Sequence, residues 1–210
     1  DVRAVSIVGP ANKMPSGTAV YYATCLARPS SGNDRILVIP VNNHCDIPTS
    51  LSAYTIKSTN SYEGLYPLNS IYMNGDLYIC GYVTDNNTNL PSEPGYAGVD
   101  HKKGFVIRIT NPSGPSFTIA NSITIDTKYL TVPPPPFVQY HDFDIAMRMT
   151  AMENGNIHVT GSVNNIDNPG TGYGQYSATM NVVLSPTLSK ISDNHFFVGK
   201  GQDEYGTALY

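Results

Sequence analysis

The tightest group of ionisable side chains in the sequence is "QYHDFD", in which His141, Asp142 and Asp144 follow the proline run at 133–136. Residues two apart in a strand share a face, so Asp142 and Asp144 could offer carboxylate oxygens to a hard cation such as calcium. Calcium takes roughly six to eight oxygen ligands, so these two side chains alone make an incomplete site. The alternative is that Asp142 caps a turn and His141 is a solvated loop residue.

A second cluster is "NNHCDIP", which contains His44, Cys45 and Asp46. Ligands adjacent in an extended chain point to opposite sides, so this triplet favours a turn over a metal or thiol site. Three cysteines are too few for a disulfide framework or a structural zinc site. We expect Cys25 and Cys80, which lie in apolar segments, to be small buried hydrophobic residues.

Two long segments, 85–104 and 165–176, mix Asn, Asp, Gly and Tyr. Loops on a rigid scaffold commonly carry binding function, and this mixture suits stacking on sugars or contact with a protein partner. The alternative is that both are tolerated surface insertions. The candidate binding residues are Tyr96, Asp100, His101, Tyr173 and Tyr176.

Composition limits the classes of partner. The formal net charge is −4, only 13% of residues are charged, and Lys and Arg are scattered singly, so we expect no nucleic-acid partner. No apolar run approaches the roughly 18 residues of a membrane span, so we expect none. Low Lys with high Thr, Asn and Tyr resembles bacterial secreted or cell-surface proteins, which predicts a mature extracellular form without its signal peptide.

Apolar residues alternate with polar ones or form short runs between turn-forming residues, which is typical of an all-β protein. We predict strands at the following positions: 34–42, 52–59, 76–84, 104–110, 121–128, 156–163, 177–185 and 194–200. Further apolar segments at 2–8, 64–73 and 142–152 are the predicted first strands of three units, and the segment 16–27 is the predicted second strand of the first unit.

The phrase "NGDLYICGYVTD" at 74–85 returns as "NGNIHVTGSVNN" at 154–165. This repeat divides the chain into units of four strands at 2–60, 63–128 and 141–200, within one domain or fragment spanning 1–210. The final segment, 203–210, matches the opening strand of a fourth unit.

The repeated phrase has a structural explanation. Asn-Gly supplies the positive φ of a tight hairpin turn, and Gly81 or Gly161 lets a neighbouring group approach closely. Because side chains alternate along a strand, Leu77 and Ile79 should face one packing layer, as should Ile157 and Val159. Tyr78 and His158 should then face the other layer.

Tandem units of four antiparallel strands indicate β-propeller blades, which could form part of a larger ring. The segments 74–81, 154–161 and 201–209 resemble the blades of bacterial secreted and surface propellers, in which a phrase such as "dGniyvtG" recurs. The resemblance implies that the first strand of each blade lines a central channel. The first unit departs from the pattern, because Ala23 stands in place of the closing glycine.

A propeller needs at least four blades to close, and three blades with one further strand are visible. Three explanations are open. The chain could be a piece of a longer polypeptide, it could complete a ring with another copy or another chain, or its last strand could pair with the N-terminal segment.

Carbohydrate chemistry would require convergent carboxylates. The opening strands of the units carry few candidates: Glu63, Asp142, Asp144, Asp203 and Glu204, with Arg3 and Arg148 as the only arginines. We therefore expect a non-catalytic extracellular scaffold that binds a protein or further copies through its loop face or a blade edge. The alternative is a carbohydrate-binding or glycosidase-like or lyase-like propeller. We predict no catalytic residue. We also predict no cofactor, except that Asp142 and Asp144 could bind calcium.

Overall fold

The computed structural model describes residues 1–9, 20–44, 46–47, 51–59, 63–85, 101–110, 112, 118–125, 143–165 and 176–197. These residues form twelve β-strands and no helix. None of them therefore makes a helix long and apolar enough to cross a membrane. The prediction of an all-β chain is confirmed.

The strands form three four-stranded antiparallel sheets, which we call A, B and C. Sheet A contains β1 (Val2–Val8), β2 (Tyr21–Ala27), β3 (Arg35–Val41) and β4 (Tyr54–Ile56). Sheet B contains β5 (Glu63–Met73), β6 (Asp76–Asp85), β7 (His101–Thr110) and β8 (Thr118–Ile125). Sheet C contains β9 (Phe143–Ala151), β10 (Ile157–Asn165), β11 (Tyr176–Leu184) and β12 (Lys190–Phe197).

In every sheet the strands are hydrogen-bonded in chain order, from the first strand to the fourth. The predicted units of four antiparallel strands are therefore present, and no hydrogen-bonded pairing among the described strands joins sheet C to sheet A. The fourth strands of sheets B and C begin earlier than the predicted positions, 121 and 194: β8 begins at Thr118 and β12 at Lys190. The first residues of both are exposed, so backbone pairing sets their limits rather than an apolar pattern.

The repeated Asn-Gly phrase makes two different turns. Asn74 and Gly75 both have positive φ, 53° and 88°, and join β5 to β6 directly, as a two-residue hairpin requires. In the later copy only Gly155 has positive φ, 81°, and the turn is longer. It is closed by hydrogen bonds from Met152 N to Asn156 O (2.8 Å) and from Gly155 N to Met152 O (2.9 Å). The expected tight Asn-Gly hairpin is thus correct only for the first copy.

The closing glycine of the phrase lies opposite a β-bulge. A Cβ atom built on Gly81 would overlap the carbonyl oxygen of Tyr66 and lie 2.9 Å from the Cα of Pro67, so the predicted close approach is confirmed there. The register of β5 shifts at this point, between Pro67 and Asn69. In sheet A the shift lies opposite Thr24 and Cys25 instead, which frees Ala23 from the same crowding.

Sheet B lies between the other two sheets. Leu77 and Ile79 belong to the hydrophobic cluster shared with sheet A, whereas Tyr78 and Cys80 belong to the cluster shared with sheet C. In sheet C, Ile157 and Val159 face sheet B. Each of these residues is almost completely buried, and full burial of such a side chain contributes about 1.5–3 kcal/mol. The predicted alternation is confirmed for Leu77, Ile79, Tyr78, Ile157 and Val159.

Polar contacts at both ends fix the stack. Strands β2, β6 and β10 all finish at the same end of the stack, which we call the loop end. We call the opposite end the turn end. At the loop end Leu65 N donates to Asp34 O (2.9 Å) and joins sheet B to sheet A. At the turn end Tyr78 donates to Pro186 O (3.0 Å) and Asn121 Nδ2 donates to Thr187 O (2.7 Å), which join sheet B to sheet C.

Candidate functional site

The sequence-predicted binding residues lie at the loop end wherever the structure describes their backbone. His101 begins β7 opposite Asp85, and Tyr176 begins β11 opposite Asn165. The last residues of the two segments predicted as loops, 101–104 of the first and Tyr176 of the second, therefore belong to strands. Tyr96, Asp100 and Tyr173 lie outside the described residues, as does the predicted opening strand at 203–210.

The candidate cation site is described only in part. Asp144 is the second residue of β9 and pairs with Val163 near the loop end, while His141 and Asp142 lie outside the described residues. Within the described part of the chain, no group of three or more His, Cys, Asp and Glu side chains is placed to hold a metal ion.

The "NNHCDIP" segment folds as a turn around Asn42, as the sequence analysis favoured. Asn42 Oδ1 accepts hydrogen bonds from His44 N (2.8 Å) and Asp46 N (2.9 Å), and Asn42 N donates to Asp46 O (2.9 Å). Cys45 lies outside the described residues. These hydrogen bonds satisfy the backbone N–H groups of Asn42, His44 and Asp46 just after β3.

Cys25 and Cys80 are free and buried, as predicted. Complete burial raises the pKa of the Cys80 thiol well above its ordinary value of 9.0. A thiol held neutral in an apolar layer is a poor nucleophile, so Cys80 acts as a packing residue.

A polar and aromatic cluster at the loop end joins sheets A and B. The Tyr66 and Tyr82 rings are stacked with centroids 4.8 Å apart and planes 6° apart. Asp34, in the connection from β2 to β3, lies beside them and pairs with Arg28 at an Nε–Oδ2 distance of 3.2 Å. Thr84 lies above Gly64, where an added Cβ would sit 3.2 Å from the threonine hydroxyl and 3.0 Å from the Tyr66 ring. We call Arg28, Asp34, Tyr66 and Tyr82 the loop-end cluster.

The titration of the loop-end cluster reflects its partial burial. Burial raises the pKa of Tyr66, and the hydrogen bond to Asp34 and the charge of that carboxylate raise it further, against a smaller lowering by Thr84. Burial also raises the pKa of Tyr82, which Arg28 lowers and Asp34 raises. Both phenols are therefore neutral hydrogen-bonding groups at neutral pH.

A second polar group lies at the turn end of sheet B. Arg108 Nη2 and Nε each lie 2.7 Å from Asp76 Oδ2 in a half-buried ion pair. The hydrogen bond to Asp76 raises the pKa of the Arg108 guanidinium. Because these groups satisfy one another and anchor Tyr78 against sheet C, their role is structural.

The outer face of sheet A, which points away from sheet B, is mostly apolar. Ile7 is 60% exposed, Val2 is 55% exposed and Tyr21 is 36% exposed. No described sheet packs on this face, and its residues belong to neither hydrophobic cluster. By strand alternation and register, the described members of this face are Val2, Ala4, Ile7, Tyr21, Ala23, Cys25, Ala27, Arg35, Leu37, Ile39, Val41 and Thr55, so the face is mostly apolar with Arg35 and Thr55 as polar members.

The outer face of sheet C, which points away from sheet B, is mostly polar. His158 Nε2 lies 3.2 Å from Asn181 Oδ1, and Thr160 is buried with its hydroxyl lacking a hydrogen-bond partner. Val183 is an apolar residue among them. By alternation and register, the described members of this face are Arg148, Thr150, His158, Thr160, Ser162, Asn181, Val183 and Ser192.

Sequence reasoning missed both the loop-end cluster and the contrast between the outer faces. Asp34 and Tyr66 come from different units of the repeat, and no spacing in the sequence brings them together. The change from Tyr78 to His158, 80 residues later, is visible in the repeat and could have signalled the polar outer face.

The chain has no significant match among protein-family models, curated proteins or solved structures. Its function can therefore be inferred only from the chemistry of its own residues.

Proposed function

We propose that this protein is a non-catalytic scaffold that assembles with another β-sheet through the outer face of sheet A. In this proposal sheets A, B and C are blades of a propeller-type stack, and the covering sheet continues it. The observation that carries the proposal is the apolar outer face of sheet A, with Ile7, Val2 and Tyr21 exposed on it.

The equivalent faces of sheets B and C are each covered by a neighbouring sheet of the same chain. Counted from the β-bulge in each sheet, Tyr21 corresponds to Leu77 of sheet B and Ile157 of sheet C. Leu77 is covered by sheet A, and Ile157 is covered by sheet B. The equivalent face of sheet A would gain the same stabilisation from a fourth sheet, since burial of apolar surface contributes roughly 25 cal/mol per Å².

The proposal includes an extracellular or cell-surface location and a protein partner. Its support is the composition, which is poor in charge and rich in residues common on bacterial surfaces. An assembly in this location would present the loop end for further binding.

Light scattering on the purified chain and on two lysine variants tests the proposal. Ile7→Lys places a charge on the outer face of sheet A, while Ile191→Lys changes a residue of similar exposure, 56%, on β12. The unaltered chain and Ile191→Lys should form particles heavier than one chain of 22.7 kDa, and Ile7→Lys should be a single chain. Circular dichroism should show the same β content in all three. A single-chain particle for the unaltered sequence would contradict the proposal.

Carbohydrate binding is a second candidate, favoured by the loop-end cluster. Stacked tyrosines offer an aromatic surface to a sugar ring, and the Asp34 carboxylate could accept hydrogen bonds from sugar hydroxyls. The cluster also lies at the end of the sheets from which the two long segments leave.

Calorimetric titration with neutral oligosaccharides tests this second candidate. Tyr82→Leu should weaken binding at least tenfold, because it removes one ring of the stack. Tyr54→Leu, on β4 of sheet A, is the control and should bind as the unaltered chain does. Equal binding by Tyr82→Leu, or no binding of any sugar by the unaltered chain, would remove the loop-end cluster as a sugar site.

A further inference from the structure

We propose that the sheet covering the outer face of sheet A is the same face of a second copy of this chain, in a two-fold symmetric dimer. This inference rests on the proposed scaffold function, because it names the partner in that assembly. It commits the chain to one apolar docking surface, formed on β1, β2 and β3.

The outer face of sheet C excludes the simplest alternative, in which copies stack head to tail. Such stacking would place the apolar outer face of sheet A on the outer face of sheet C, as sheet B packs on sheet A within the chain. At four equivalent positions, however, residues that face sheet C from sheet B are apolar, and those on the outer face of sheet C are polar. The pairs are Ile71 and Thr150, Tyr78 and His158, Cys80 and Thr160, and Val106 and Asn181.

Head-to-tail stacking would remove the half-buried His158 and Asn181 side chains from water against the mostly apolar outer face of sheet A. The Thr160 hydroxyl already lacks a partner. Asn181 Oδ1 and His158 Nε2 lie 3.2 Å apart, and both side chains are half-buried. A covering sheet of mostly apolar residues would bury them without supplying further hydrogen-bond partners.

The outer face of sheet A is complementary to itself. Its exposed apolar side chains, Val2, Ile7 and Tyr21, carry no charge. Arg35, the charged member among its described residues, is the first residue of β3 at the loop end, so a contact through Ile7 and Tyr21 at the turn end leaves the guanidinium at the edge. A two-fold axis brings the same surface of both copies together and closes the assembly at two chains. Two sheets packed face to face in this way keep their strands within about 30° of one another.

Cross-linking of single-cysteine variants distinguishes the two arrangements. Both are made in a Cys45→Ser chain, and the buried Cys25 and Cys80 are left unchanged. Ile7→Cys marks the outer face of sheet A, and Val183→Cys marks the outer face of sheet C. Each variant is treated with a short bismaleimide alone and after mixing with the other, and light scattering gives the number of chains per particle.

The two-fold dimer predicts a particle of two chains, cross-linking of Ile7→Cys to itself, and no gain in cross-linking when the variants are mixed. A particle of three or more chains, or cross-linking between Ile7→Cys and Val183→Cys, would overturn the dimer and leave the scaffold function standing. A two-chain particle in which only Val183→Cys cross-links to itself would also overturn it. A single-chain particle would overturn the dimer and the proposed function together.

Discussion

The outer faces of sheets A and C stand at opposite ends of one stack and differ in chemistry. Sheet A presents Ile7, Val2 and Tyr21, whereas sheet C presents His158, Thr160 and Asn181. Both sheets have four antiparallel strands in chain order, so the difference lies in the residues on the faces rather than in strand topology. In the proposed assembly, these residues decide which face takes a covering sheet.

The largest effect should follow from giving sheet B the polar pattern of sheet C. Val106→Asn copies Asn181 into the layer between sheets B and C, where Val106 is completely buried. The change removes apolar burial and leaves an amide without partners, so the free energy of unfolding should fall by roughly 3 kcal/mol. Urea denaturation measures it.

The matched control for that change is Val183→Asn, on the half-buried outer face of sheet C. It should lower the free energy of unfolding by less than about 1 kcal/mol, because the amide can bind water there. Equal losses of unfolding free energy in the two variants would mean that an asparagine is as destabilising on the outer face of sheet C as in the layer between sheets B and C.

The second effect concerns the reverse exchange. The triple variant His158→Tyr, Thr160→Cys and Asn181→Val gives sheet C the residues that sheet B uses to contact a following sheet. A head-to-tail contact then becomes apolar on both sides, so particles of more than two chains should form. Light scattering measures the change. If the triple variant keeps the size of the unaltered particle, polarity does not limit stacking at sheet C.

The third effect is a loss of stability at alkaline pH. Burial raises the pKa values of Cys80 and Tyr78 in the folded chain. Above the ordinary thiol pKa of 9.0 the unfolded chain releases its proton while folded Cys80 keeps it. The stabilising contribution is therefore complete below about pH 9 and is lost as the pH rises through the folded pKa.

Urea denaturation between pH 7 and pH 11 measures this alkaline loss. Cys80→Ala should be less stable at pH 7 because it removes buried volume, and its free energy of unfolding should decline less steeply above pH 9. An unchanged slope in Cys80→Ala would show that the thiol does not contribute to the pH dependence.

The smallest effect concerns an exposed contact between sheets B and C. Asn121→Ala removes the hydrogen bond to Thr187 O, which is 2.7 Å long. Because the group is exposed, the loss in the free energy of unfolding should be about 0.5 kcal/mol. Thermal denaturation measures it, and a loss above about 2 kcal/mol would show that this contact is a major tie between the sheets.

The fold could be predicted from local signals. Alternation placed Leu77 and Ile79 on one layer and Tyr78 on the other, and the Asn-Gly phrase marked the hairpin at Asn74. The early starts of β8 and β12 could not be predicted, because their exposed first residues show no apolar pattern. Backbone pairing with a neighbouring strand is a long-range property that a window of sequence does not contain.

The candidate site was less predictable than the fold. The loop-end cluster depends on the Asp34 segment reaching β5 of the next sheet, where its carbonyl accepts a hydrogen bond from Leu65. The predicted candidates at His101, Asp144 and Tyr176 share the loop end with this cluster. The positions of these residues next to predicted loops indicated at which end of the sheets they lie. They did not indicate which residues of another sheet lie beside them.

The central claim is that the apolar outer face of sheet A is an assembly surface, and the most direct test is the solution mass of the unaltered chain. Light scattering over a range of concentrations should give a particle of two chains of 22.7 kDa each at the higher concentrations. The measured mass should fall towards that of one chain only when the protein is diluted, because the dimer then dissociates. A monodisperse single chain at every concentration would contradict the claim.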